Sequence, residues 1–128
     1  MVVVPEFLIK RIYQKGSLKH GINESGENEI CLTLKNVLGP GLISGFNYVK
    51  INDVTFEAKD VKFITNNTEY CGDKVSEENP VVFRLGQAGT LIMTGEDCVV
   101  DGVNKIFIEA VNPEAGVVVL KAEDTAQG

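Results

Sequence analysis

Few residues in this chain could do chemistry. His20 is the only histidine among the 128 residues. A multi-histidine metal site needs several imidazoles, and a Ser-His-Asp triad needs one that is held in place. His20 lies instead in the polar stretch Lys19-His-Gly-Ile-Asn-Glu-Ser-Gly-Glu27, which reads as a solvated hairpin loop. Cys31, Cys71 and Cys98 form no CxxC pair, and none has a histidine or basic neighbour to depress its pKa. They read as small apolar residues carrying free thiols. Gly39-Pro-Gly-Leu-Ile-Ser-Gly45 resembles a phosphate loop on its surface. Its third glycine falls one residue late for GxGxxG, and no Lys-Ser/Thr ending follows. A turn entering a strand Leu42–Ile43, with Gly45 at a bulge, is the expected role.

Carboxylates gather at Glu24/Glu27/Glu29, at Glu77/Glu78 and at Glu96/Asp97/Asp101. Paired carboxylates could serve glycoside hydrolysis across a cleft. Each cluster falls in a turn, where acidic side chains are readily solvated, and the third lacks the alternation of a calcium loop. The sequons at Asn23 and Asn66 also lie in turns. With no Trp, and with Tyr13, Tyr48 and Tyr70 all inside strand-like runs, an exposed aromatic platform for sugars is weakly provided. The sequence therefore assigns no catalytic, cofactor-binding or metal-ligating residue, and no cofactor.

The elements that would position such groups read as strands. β-Branched and aromatic residues abound, and Gly, Asn, Asp, Pro and Ser fall in clusters between apolar runs. Glu29–Lys35 alternates strictly, with Ile30, Leu32 and Leu34 on one face. Tyr48–Ile51 and Val54–Phe56 flank Asn52-Asp53, which suggests a type I′ hairpin pairing Ile51 with Val54 and Val49 with Phe56. Val61–Thr65 turns at Asn66-Asn67 into Thr68–Tyr70. Val81–Leu85, Thr90–Thr94, Lys105–Ala110 and Val117–Ala122 follow. Val99-Val100 and Val103 flank Asp101-Gly102 as a further hairpin. Phe7–Lys15 and Ser17–Lys19 read as one long N-terminal strand bulged at Gly16. Single helical turns fit only at Glu57–Asp60 and Ser76–Asn79. The expected fold is all-β: one antiparallel β-sandwich domain over residues 1–128, jelly-roll-like or immunoglobulin-like, with nine or ten short strands and a frayed tail from Glu123 to Gly128. A closed barrel is the alternative.

The net charge of -6 and pI near 4.8 disfavour nucleic acid and anionic membranes as partners. No apolar stretch approaches the length that crosses a bilayer, and the start lacks the features of a signal peptide. A cytoplasmic setting follows from free thiols without a secretory signal.

From Tyr48 onward the segments Val49-Lys-Ile-Asn-Asp53, Val61-Lys-Phe63, the strand ending in Tyr70, Val82-Phe-Arg-Leu-Gly86 and Gly102-Val-Asn-Lys-Ile-Phe-Ile108 follow in an order that resembles the small β subunits of bacterial C-glycoside deglycosidases. The similarity covers roughly residues 48–110. Asn52-Asp53 stands where that family has Asp-Gly, and Asn104 stands where it has a histidine. The resemblance implies an accessory β-sandwich that packs on a TIM-barrel subunit carrying the metal and the catalytic residues. Its matching positions, such as Asp53, Phe63, Tyr70 and Gly86, are turn and scaffold positions, so no catalytic role carries over. The function expected from the sequence is a non-catalytic interaction protein, docking on such a TIM-barrel enzyme or on itself. A carbohydrate-binding module is the alternative, and a small carboxylate-dependent hydrolase or isomerase the next.

Overall fold

The computed structural model describes residues 1–39 and 41–126. Two five-stranded sheets face each other. The first takes Val2–Val3 (β1), Gly45–Ile51 (β5), Val54–Glu57 (β6), Val103–Asn112 (β11) and Gly116–Thr125 (β12), in the order β1-β12-β11-β5-β6. The second takes Lys19–Ile22 (β2), Asn28–Lys35 (β3), Val61–Thr65 (β7), Thr68–Cys71 (β8) and Ala88–Gly95 (β10), in the order β2-β3-β10-β7-β8. Leu42–Ile43 (β4) and Val81–Val82 (β9) pair with each other as a small third sheet. All pairings are antiparallel except β1 on β12. Both large sheets are open-edged, so the chain is a sandwich and not a closed barrel.

Alternation builds the core. Ile30, Leu32 and Leu34 of β3, Leu91 and Met93 of β10, and Val61 and Phe63 of β7 turn inward from one sheet. Val49, Ile51, Phe56, Ile106, Ile108 and Leu120 meet them from the other. Phe63 is fully buried at the centre, 5.1 Å from the Phe83 ring in an edge-on arrangement and 5.8 Å from Phe46. Its ring lies where a side chain at position 89 would project, which explains the glycine there.

The expected registers hold for Ile51 with Val54 and Val49 with Phe56. In that hairpin only Asn52 takes a positive φ (55°), so its turn is not type I′. The pair of left-handed residues a type I′ turn needs is found at Asn66 and Asn67 (φ 51° and 60°), between Thr65 and Thr68.

Several expectations are corrected. The N-terminal strand is a helix, Glu6–Ile12 (α1). Pro5 precedes it, Glu6 sits in its first turn, and Lys10 and Arg11 sit in its last, each placed to suit the helix dipole. Gln14 Nε2 donates to the Arg11 and Ile12 carbonyls and closes its end. Gly16 (φ 87°) lies in the turn after α1 rather than at a strand bulge. The irregularity expected at Gly45 occurs at Asn47, which is skipped between the Glu109–Tyr48 and Ala110–Phe46 pairs. Val99 and Val100 form no strand; the loop before β11 is gathered by a side chain instead. The one-turn helix at Ala58–Asp60 is present, whereas the second lies at Gly72–Lys74 and not at 76–79. The described residues form twelve strands, three of only two residues. Of the supposedly frayed tail, Glu123, Asp124 and Thr125 are ordered in β12; Gln127 and Gly128 lie outside the described residues.

Candidate functional site

The β11–β12 ladder ends in two kinds of surroundings. At one end Asn104 pairs with Asp124, and both are buried. Asn104 Oδ1 accepts from the Val100 backbone N–H (2.8 Å) and from Asn52 Nδ2 (2.9 Å). Asn104 Nδ2 donates to the Val100 carbonyl at 3.0 Å and the Gly102 carbonyl at 3.3 Å. Asn52 also donates to the Cys98 carbonyl and accepts from the Lys105 N–H. Asp124 Oδ2 accepts from Tyr13 Oη at 2.8 Å and from the Gly16 N–H at 2.9 Å. Burial, and then the Asp124 carboxylate, push the Tyr13 phenol well above its ordinary value. Every polar atom of this cluster is engaged, which gives it a structural role.

At the other end the sandwich opens on a cavity of about 520 Å³. Its floor is Ile12, Leu34, Phe83, Ile108 and Leu120, all buried side chains. Leu8, one turn before Ile12 on α1, forms one wall. The lip is Gly39, Gly41, Leu42 and Ile43 together with Asn112, Glu114 and Ala115 of the facing turn. Asn36 organises this lip, with Nδ2 on the Gly39 and Phe83 carbonyls (2.6 Å each) and Oδ1 on the Leu38 N–H (2.9 Å). A Cβ at Gly41 would stand 2.5 Å from the Phe83 carbonyl oxygen, so only glycine closes the lip there. Asn112 ties the facing turn, donating to the Leu42 carbonyl and accepting from the Glu114 and Ala115 N–H groups. The glycine-rich stretch that mimics a phosphate loop is thus a cavity rim. Of that stretch Pro40 lies outside the described residues.

A groove of about 770 Å³ runs along α1 beside β11 and β12. It brings Lys10, Lys15, Lys105 and Lys121 together against Glu6 and Glu123, with the Lys121 ammonium 5.4 Å from the centroid of the Phe107 ring.

His20, the three cysteines and the acidic clusters stay apart from the cavity and the groove. His20 belongs to β2 rather than to a loop, and its Nδ1 lies 3.2 Å from Asp97 Oδ1 in a partly exposed pair. Glu24, Glu27, Glu77, Glu78, Glu96 and Asp101 are exposed. Among the described residues no three His, Cys, Asp or Glu side chains converge as a metal site. The three cysteines are free. Burial, then the nearby Glu29 carboxylate, raises the Cys31 thiol, and burial pushes Cys98 up to about 11. Both shifts oppose thiolate chemistry.

A family model described as hydroxymethylglutaryl-CoA reductase, N-terminal domain, matches residues 8–127. The chain belongs to that family. No curated protein sequence matches it. The matched span runs from Leu8 in α1 through β12, so it takes in every strand but β1, most of the cavity lining and the buried polar cluster. Among the described residues no helix is long and apolar enough to cross a membrane. Asn104, Asp124, Asn36 and Asn112, which shape the two ends, went unassigned in the sequence. The one signal for Asn36, Asn104 and Asn112 is an Asn within a few residues of a glycine, a common pattern at turns; Asp124 carries none.

Proposed function

We propose that this chain is a non-catalytic accessory domain that docks on the catalytic region of a hydroxymethylglutaryl-CoA reductase. The observation that carries this reading is the family match over residues 8–127. The side chains support it: acidic groups are dispersed at the surface, and the buried polar cluster is fully occupied with holding loops. The lysine groove along α1 supports an acidic docking surface on the partner, because it concentrates positive charge in a chain of net charge -6. Free thiols at Cys31, Cys71 and Cys98 support a reducing, cytoplasmic setting.

The alternative partner is a TIM-barrel sugar enzyme. The segments that resemble deglycosidase small subunits fall on β5 and the turn after it, on β7 and β8, on β9 and its following loop, and on β11. Self-association is the third arrangement. Co-expression of the tagged chain with the reductase catalytic region, and separately with a sugar-isomerase-like barrel from the same genome, distinguishes them by size-exclusion chromatography. Co-elution with the reductase, weakened by Lys10→Glu combined with Lys121→Glu, is expected. A chain that elutes alone, pairs only with itself, or joins only the barrel overturns the proposal.

A further inference from the structure

We propose that the cavity at the Asn112 end binds the hydrocarbon chain of a small amphiphile, with its polar head left at the rim. The inference is independent of which enzyme the domain docks on. Ile12, Leu34, Phe83, Ile108 and Leu120 are buried in the sandwich, yet they face about 520 Å³ of open space. That volume lies in the range of small-molecule pockets, about 300–1,000 Å³. Protein interiors are otherwise packed to crystal density, so side chains lining such a space lack the dispersion contacts a filled core would give them.

Two observations select the occupant. The amides of Asn36 and Asn112 are already bonded to lip backbone groups and to the Phe83 carbonyl. Water in the deep part would therefore find few partners, as it does in other apolar cavities. A peptide segment would bring N–H and C=O groups that the apolar floor cannot satisfy. A hydrocarbon chain brings neither need. At the rim Lys35 and Glu114 stand beside the opening, where a head group keeps its contact with water.

Calorimetric titration of the whole chain with decanoate and with decan-1-ol, both below aggregation, tests this. Saturable one-to-one binding of at least one is expected. Binding of both assigns the affinity to the hydrocarbon alone; binding of decanoate only, weakened by Lys35→Gln, adds a carboxylate contact. Ala110→Phe, which fills the cavity from β11, should weaken binding by roughly tenfold or more. In amide NMR spectra of the unsubstituted chain, ligand-induced shifts should concentrate at Leu8, Ile108 and Leu120. This second readout stands even if the phenylalanine variant does not fold. Absence of saturable binding, unchanged affinity in folded Ala110→Phe, or shifts centred on Leu18 and Asn104 would overturn the proposal.

Discussion

Strands β11 and β12 pair along ten residues, from Val103 with Thr125 to Asn112 with Gly116, and the two ends of this one ladder solve opposite problems. At the Asn104–Asp124 end three loops converge, and buried amide, carboxylate and phenol groups replace the hydrogen bonds those loops lack. At the Asn112 end the amides bond to the lip and to the Phe83 carbonyl, leaving an apolar hollow beneath. The first end is closed by polar chemistry, and the second is held open by it. A buried polar group is costly to orphan, whereas an apolar hollow tolerates change. The two ends should therefore respond very differently to substitution.

The largest effect is expected at Asn104. Asn104→Ala removes the side chain that bonds Val100, Gly102 and Asn52 together, and leaves Asn52 Nδ2 short of one acceptor. A loss of about 3 kcal/mol in urea unfolding is expected. A loss below about 1 kcal/mol would mean that the loops hold themselves.

Tyr13→Phe comes next. It deletes the 2.8 Å bond to Asp124 while the Gly16 N–H remains, for a loss of about 1–2 kcal/mol. The pH dependence sharpens the test. The folded state holds the Tyr13 phenol protonated beyond its ordinary value of 10.0, through burial first and Asp124 second. Above pH 10 the unfolded chain gives up this proton while the folded chain keeps it, so the contribution is full below pH 10 and declines as pH rises past it. Unfolding free energies of the phenylalanine variant should lack that component of the alkaline decline. Equal decline in both proteins would remove Tyr13 from the account.

On the open end the effects shrink. Asn112→Ala frees the Glu114 and Ala115 N–H groups to water at the exposed turn and should cost about 1 kcal/mol or less in the same urea assay. Ala110→Leu should change stability by less than about 1 kcal/mol, or raise it, because the added carbons enter empty space. A loss of several kcal/mol from Ala110→Leu would show that the hollow is already filled by packing, and the contrast between the ends would collapse.

The strands were legible where alternation is strict. Ile30, Leu32 and Leu34 point inward as their spacing demands, and the Asn66-Asn67 turn fits asparagine's tolerance of positive φ. Helix α1 was not legible, because Phe7, Leu8, Ile9 and Ile12 satisfy a strand's composition as well as a helix's face. The deciding signals were local: Pro5 before the run, Glu6 at its start and the basic pair at its end. The Asp101-Gly102 hairpin failed because Asn104, two residues on, takes the Val100 N–H that a partner strand would have used. The cavity was invisible because its walls come from α1, β3, β11 and β12, residues far apart in the chain whose meeting depends on topology. Only the rim left a mark, in the glycine-rich stretch that begins at Gly39, and that mark reads as a turn entering a strand without showing what the turn encloses.

The most direct test of the accessory reading is turnover of hydroxymethylglutaryl-CoA by three preparations: the isolated chain, the reductase catalytic region, and their mixture. No turnover by the isolated chain, with turnover by the catalytic region and a saturable change in its rate or stability on adding the chain, is the expected result. Reduction of hydroxymethylglutaryl-CoA by the isolated chain, or a catalytic region wholly indifferent to saturating amounts of it, would contradict the account.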